Sequence, residues 1–362
     1  MAFTTIDDPS AHFQTALYTG TDSSNAITND GNSDLQPDLL WIKRRDYNNG
    51  HQLLDSSRGV NKIIGSESTG GETTLAGRLS SFDSDGFTVT STSGAYNASG
   101  EPFVAWQWKA NGGTKVTVNA SGAMNAGTHQ ANTTAGFSIV TYTGEDNVGD
   151  TVTHGLGAVP HFMVVKVLGQ GGHWGVYHHR MVLGTYAIEN RDPEDYRLLL
   201  SAANDPGDFD NFWSDTAPTS SVFTVGTNGD TGDATTYVAY LWTSIQGYSR
   251  FGSFEGNNNA EGPFVYTGFK PAWVLWKDVD DANDNWYLYD NKRNVYNAQR
   301  NYLSPTSANA EGSNGGLMDF LSNGFKVRNT GGDMNNDGNT YVYAAFAEQP
   351  FVTSGGAPAT AR

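Results

Sequence analysis

The sequence predicts an all-β chain of three tandem β-sandwich repeats of jelly-roll type, and three observations carry that prediction. One motif returns three times, as QPDLLWIK (Gln36 to Lys43), VPHFMVVK (Val159 to Lys166) and KPAWVLWK (Lys270 to Lys277). Each is a proline, an apolar run and a lysine six residues beyond the proline. The copies stand about 110 to 125 residues apart, too long for a solenoid unit and right for a small domain. The second observation is strand-like alternation. In PFVAWQW, Val104, Trp106 and Trp108 share one face, and Phe103, Ala105 and Gln107 the other. The third is turn chemistry: the chain holds 43 glycines, and SDG (Ser84 to Gly86) and SNG (Ser322 to Gly324) precede apolar strands as hairpin signals.

Within each copy the elements keep one order. An aromatic turn comes first: LYTGTD (Leu17 to Asp22), TYTGED (Thr141 to Asp146) and SFEGNN (Ser253 to Asn258). The proline motif follows; its apolar run suits a strand covered on both faces, with the proline at the strand entrance where no N–H is needed. Next come LLDSSRG (Leu53 to Gly59), VYHHRM (Val176 to Met181) and LYDNKRN (Leu288 to Asn294), then FDSDGFTV (Phe82 to Val89), SSVFTV (Ser220 to Val225) and FLSNGFKV (Phe320 to Val327). Each copy closes on an aromatic strand, PFVAWQW (Pro102 to Trp108), TYVAYLW (Thr236 to Trp242) or TYVYAAF (Thr340 to Phe346). An aromatic ends the Val104, Val238 and Val342 face each time, so that face is expected to meet a core. Helical patterning is scarce, with short candidates around Arg191 to Leu200 and Asn294 to Leu303.

These landmarks place repeat one at residues 1–113, repeat two at 136–246 and repeat three at 247–350. Residues 114–135 are small and polar and read as a linker or an exposed hairpin. No spacer separates repeats two and three, which predicts rigid packing between them. The tail, 351–362, is expected to be disordered or docked on a neighbour. Each repeat is long enough to bury a core of its own.

The chain has 362 residues and a formal charge of −17, from 21 basic and 38 acidic residues. That balance argues against a nucleic-acid backbone or an anionic membrane as partner. There is no cysteine, which excludes disulfides, thiolate metal sites and thiol nucleophiles. The opening MAFTTIDDPS has neither the basic start nor the apolar stretch of an export signal, and no apolar run approaches a membrane span.

No catalytic, cofactor or metal site is predicted. Asp83 and Asp85 could form a carboxylate pair for glycoside hydrolysis, but the third copy has Ser322 and Asn323 there, and turn formation explains both aspartates. His178 and His179 are consecutive on a strand and point apart, which disfavours a shared metal with His173. Asp55/Arg58 and Asp290/Arg293 keep a D-x-x-R spacing, while the second copy keeps only Arg180. Retention between copies favours a buried arginine tying a turn to its neighbour. GGDMNNDGN (Gly331 to Asn339) lacks the spacing of a calcium loop, and no helix pattern follows LGQGGHWG (Leu168 to Gly175) to hold a phosphate. For ligand contact the candidates are Trp174, Tyr177, His178, Trp286 and Tyr287, aromatic and polar side chains in polar surroundings of the kind that stack on sugars.

MAFTTIDDPSAHFQTALYTGT, QPDLLWIK, LLDSSRG, SFDSDGFTV and EPFVAWQWKANGG, with the closing GPFVYTGFKPAWVLWK, YDNKR and YVYAAFAEQPFV, resemble the repeat-built virion structural proteins of marine and cyanobacterial tailed phages. The resemblance spans roughly residues 10–350. It implies a non-enzymatic part of a tail fibre or appendage, assembled in the host cytoplasm into the virion, with other virion proteins and a host surface glycan or protein as partners. It implies no cofactor, no nucleic acid and no membrane insertion. Because phage fibres are commonly trimeric, it also implies a homo-oligomer, a trimer among the possible forms. A capsid decoration protein and a carbohydrate-active enzyme or soluble carbohydrate binder are the alternatives. The second copy departs most from the shared pattern, so it is where a contact surface of its own is expected.

Overall fold

The computed structural model describes residues 3–181, 192–204, 206–331 and 334–360. The fold is nearly all β, in several antiparallel sheets, and among the described residues helix is confined to single turns such as Asp210–Trp213. Among the described residues no helix is long and apolar enough to cross a membrane.

Twelve strands form the frame. The first four are β1 (Phe13–Thr19), β2 (Leu39–Arg44), β3 (Gln52–Asp55) and β4 (Pro102–Trp108). The next four are β5 (Phe137–Thr143), β6 (Phe162–Val167), β7 (Trp174–His178) and β8 (Thr236–Trp242). The last four are β9 (Ser249–Glu255), β10 (Phe269–Asp278), β11 (Tyr287–Asp290) and β12 (Thr340–Pro350). The first sheet runs in the order β1-β4-β2-β3, the third in the order β9-β12-β10-β11, and the second contains β5-β8-β6-β7. In each the aromatic closing strand (β4, β8 or β12) lies between the first strand and the proline strand of its group. Their registers correspond: Leu39 pairs with both Trp108 and Asp55, Phe162 with Trp242 and His178, and Trp273 with Phe346 and Asp290.

The period-two patterning sorts these strands between two kinds of core. On the closing strands Val104, Trp106 and Trp108, Val238, Tyr240 and Trp242, and Val342, Ala344 and Phe346 all enter one large central cluster. Their neighbours Phe103, Tyr237 and Tyr341 face three separate outer clusters. Each outer cluster is closed by a covering sheet: Asn25–Ile27, Gly86–Val89 and Leu79–Asp83 over the first, Asp150–Thr153 and Val222–Val225 over the second, and Phe264–Tyr266, Gly324–Val327, Gly312–Leu321 and Gln299–Tyr302 over the third. The proline strands are buried on both faces, as their unbroken apolar runs require.

The central cluster adds to the expectation that each unit buries a core of its own: beside its own outer cluster, each group contributes to one shared by all three. The three closing aromatics meet pairwise: ring centroids are 6.0 Å apart for Trp108–Trp242, 5.6 Å for Trp108–Phe346 and 6.4 Å for Trp242–Phe346, each pair edge to face. Edge-to-face contact sets the positive edge of one ring against the negative face of another. Burying side chains of this size contributes about 1.5–3 kcal/mol each. An enclosed apolar void of only about 20 Å³ remains among them.

Four further expectations are sharpened or corrected. Residues 114–135 are no linker: Val116–Val118 and Gly127–Asn132 form a hairpin that extends the second sheet beyond β5. The helix candidates are mostly strand: the first is one 3-10 turn, Pro193–Asp195, running into Tyr196–Leu199, which pairs with β7, and the second holds Gln299–Tyr302, an edge strand of the third outer sheet; Arg191 lies outside the described residues. Pro271 sits inside β10 rather than at its entrance, where the register shifts to both sides of it and no N–H is needed. The tail docks on its own chain: Ser354 bonds Asp7, and Phe351 packs edge-on against Phe3.

Candidate functional site at the sheet junctions

The repeated landmarks converge where one sheet meets the next. At the register position of Asp55, His178 and Asp290, each side chain crosses to the closing strand of the following sheet. Asp55 Oδ2 accepts from Tyr240 Oη at 2.7 Å, His178 Nε2 donates to Tyr343 O at 3.1 Å, and Asp290 Oδ2 accepts from Trp106 Nε1 at 3.0 Å. First reaches second, second reaches third, and third reaches first, so the contacts close into a ring.

A second set runs the opposite way. Ile42 pairs with Gln52, Val165 with Gly175 and Trp276 with Tyr287, which puts His51, Trp174 and Trp286 at matching positions one residue farther out. Each donates to a backbone carbonyl of the preceding sheet's group: His51 Nε2 to Ser304 O at 3.0 Å, Trp174 Nε1 to Gly65 O at 2.7 Å, and Trp286 Nε1 to Leu199 O at 2.9 Å. The three acceptors also correspond, since each follows a residue bonded to the third strand of its group or one step along it (Ile64, Leu198 and Leu303). Burial holds His51 neutral by lowering its pKa to about 3, with Lys43 adding to the effect. The motif lysines are buried too. Lys43, Lys166 and Lys277 donate to the carbonyls of Arg44, Gly172 and Asp284 at 2.6–2.7 Å, and burial lowers the first two to about 8.

Five candidate contact residues therefore stand corrected. Trp174, Tyr177, His178, Trp286 and Tyr287 are all buried, between 0% and 7% exposed, so none presents a face to a ligand in solution. Their polar sequence neighbours suggested loops; instead Trp174, His178 and Trp286 are buried against the neighbouring sheet's group, and Tyr177 and Tyr287 lie in the outer clusters of their own groups. The D-x-x-R arginines tie their turns as expected. Arg58 Nε and Arg293 Nε each lie 2.5 Å from the aspartate of the same turn, and both reach a glutamate at 3.1 Å, Glu72 and Glu311. In the second sheet Arg180 is not their counterpart. Three residues past His178 stands Met181, buried in the central cluster, and Arg180 points outward. Asp83 accepts from Ser81 and Thr88, and Asp85 accepts from Leu35 N–H, as turn aspartates do. Asn335, in the stretch that lacks calcium-loop spacing, donates to the carbonyls of Asn259 and Asn329. No group of three metal-ligating side chains occurs among the described residues.

Each junction opens to solvent in a cleft of about 450–500 Å³ between the turn after one group's third strand and the first strand of the next. Two clefts carry paired charge. Arg58 and Lys62 both hold Glu72 at the first–second junction, and Lys292 holds Asp30 at the third–first junction. The second–third cleft differs. Arg180 and Arg250 are exposed on it, and among the described residues neither has a carboxylate partner and no acidic residue lines it. His161 and His179 lie ring to ring at 4.3 Å. His179 Nε2 donates to Phe251 O at 2.9 Å, His161 Nδ1 accepts from Ser244 N at 2.9 Å, and burial lowers both pKa values, that of His179 to about 4. Phe264 and Tyr266 complete the wall, 47% and 45% exposed, on an edge strand whose Val265 faces the outer core. The Tyr343 ring approaches the β9 backbone at Gly252, where a Cβ would fall 2.6 Å from its hydroxyl.

Sequence reading singled out Arg180 only as a remnant and missed Arg250, His161, Phe264 and Tyr266. A signal was present. Val265 pairs with Phe325 as Ile27 pairs with Phe87 and Val152 with Phe223, yet the flanking residues are Ala26 and Thr28, Thr151 and Thr153, and in the third unit alone two aromatics. No curated protein and no solved structure matches the chain. Residues 8–350 match the model of a domain of unknown function, DUF7483, and the chain belongs to that family.

Proposed function

We propose that the three sheets with their covers are three tandem copies of one β-sandwich unit, fused into a non-enzymatic structural protein of a tailed-phage virion. Its place is a tail fibre or appendage, where it makes assembly contacts and adheres to the host surface. The observation that supports this reading most is the ring of equivalent junction bonds. Asp55, His178 and Asp290 each lock onto the next closing strand, so one chain supplies the threefold arrangement that fibres commonly reach with three. A shared core with buried staples at every junction is a rigid platform, and rigidity suits a part that carries load or displays a binding surface. The partners on this reading are other virion proteins and a host glycan or protein.

Gold-labelled antibody against the chain, imaged on purified phage particles, tests the proposal. Label on the tail or its fibres supports it. Label spread over the head replaces it with capsid decoration, and an unlabelled intact particle overturns both.

A further inference from the structure

The second–third cleft is the one junction whose surface departs from the scaffold shared by the other two. Its turn carries His179 and Arg180 where the matching turns carry Ser56 and Ser57, and Asn291 and Lys292, counted from the junction residue. Its first strand carries Arg250, opposite Ala345. The matching residues are Gln14, opposite Gln107, and Ser138, opposite Leu241, and both are buried and bonded to covering segments. Its outer edge carries Phe264 and Tyr266 where the others carry small residues. Substitutions on three elements meet in one cleft of about 450 Å³, and all of them add cation or aromatic surface.

We propose that this cleft binds a carboxylate-bearing pyranose within an otherwise neutral glycan. Arg180 and Arg250 supply planar guanidinium forks that match a carboxylate. Phe264 and Tyr266 alternate on one strand, so their rings lie on one side, about 7 Å apart along it. Rings placed this way offer flat apolar surface to the C–H faces of sugars. The imidazoles of His161 and His179 stay neutral where they pack, so they neither repel the arginines nor require a second anion. The chain's charge of −17 selects against a polyanion, whose every charge meets the long-range field, and leaves room for one acidic sugar held at close range. Single-site affinity of this kind is weak, on the order of millimolar, and becomes useful through multiple copies on one particle.

The inference names a ligand for the adhesive part of the reading above, but purified chain tests it without reference to the particle. The probes are 3′-sialyllactose and a glucuronic-acid-terminated disaccharide, with lactose and the tripeptide Gly-Glu-Gly as comparisons, each titrated by calorimetry or ligand-observed NMR. The expected result is binding of at least one acidic sugar, about tenfold weaker binding of lactose, and about tenfold loss in each of the double variants Arg180→Ala/Arg250→Ala and Phe264→Ala/Tyr266→Ala. Unchanged melting temperatures separate lost contacts from lost fold, and Arg250→Lys should recover part of the affinity. Three results overturn the proposal: no binding of either acidic sugar up to about 10 mM, equal binding of lactose, or tripeptide binding as tight as the sugar's and indifferent to the aromatic pair. The last would identify an acidic-peptide site. Because these measurements never touch the virion, their failure leaves the antibody experiment intact, and the reverse holds too.

Discussion

Two of the three junctions are built on a buried carboxylate and one on a buried imidazole, and the receiving strand explains the difference. Tyr240 and Trp106 each present a side-chain donor, so Asp55 and Asp290 can be buried there with an arginine beside them. At the matching place on β12 stands Ala344, whose side chain has no polar atom. The group met there is the carbonyl of Tyr343, an acceptor, so the crossing side chain must donate, and His178 does. Its Nδ1 accepts from Arg180 N at 3.1 Å, which leaves the proton on Nε2. With no buried carboxylate, the turn has no use for a buried arginine. Met181 fills that space, and the arginine beside it faces solvent. One lost hydroxyl or indole on a receiving strand thus accounts for the neutral junction and for a cation in its cleft.

The sharpest way to break this comparison is to remove one carboxylate. Asp290→Ala leaves Arg293 fully buried with only Glu311 as ionic partner, and a loss of about 3–5 kcal/mol is expected from urea unfolding. His178→Ala strands no charge, and about 1–3 kcal/mol is expected for the unsatisfied carbonyl and the space left. If the two variants lose equal stability, the ionic and neutral junctions are not different in kind.

Acid should act on the neutral junction. Burial, reinforced by His179, lowers the His178 pKa from 6.5 to about 3. The unfolded chain takes up a proton below about 6.5 while the folded chain does not, so this contribution is complete above that pH and is lost as pH falls toward the folded value. The loss has a slope of up to about 1.4 kcal/mol per pH unit for each such histidine. Unfolding free energies measured between pH 7 and pH 4.5 should therefore fall, and His178→Asn should flatten the curve by about one proton while His51 keeps its share. A slope unchanged in the variant would mean that His178 is not the group being charged.

Where the junctions share their chemistry they should respond alike. Trp174→Phe and Trp286→Phe each leave a buried carbonyl without its donor, and about 1–2 kcal/mol is expected for both. The smallest effect belongs to Arg180→Ala. An exposed side chain with no ion pair among the described residues should change stability by less than about 0.5 kcal/mol, and a melting curve that moves farther would assign it a structural task.

The landmarks carried the fold class and the faces of the closing strands because period-two patterning is local. Val104, Trp106 and Trp108 could be assigned to a core from seven letters. That this core is common to all three sheets could not be read, since alternation says which face is buried and not what covers it. The same limit misplaced Trp174 and Trp286. Gly171, Gly172, Asn283 and Asp284 surround them with turn chemistry, and their partners, Gly65 and Leu199, lie about 90 to 110 residues away. Counting eight residues from the repeated lysine would have aligned Trp174 with His51 and marked it as scaffold, whereas one extra residue in the third copy's loop puts Trp286 a step out of that count. The D-x-x-R turn was legible because both of its charges lie within four residues. The second–third cleft was legible only as a departure: VYHHRM was visible as an exception, but bringing it beside Arg250 and Phe264 required the ring to close.

That closure sets a schedule for synthesis. The last strand, Thr340–Pro350, supplies Phe346 to the centre, where it stacks on Phe13 from the very first strand at 5.3 Å. A nascent chain emerging from the ribosome can pair β1 to β4 early, yet Trp106 and Trp108 stay uncovered until nearly the whole polypeptide is out. A message truncated a few codons before Thr340 would leave an aromatic seam open along two finished sheets, and should yield an aggregating product rather than a shorter working one.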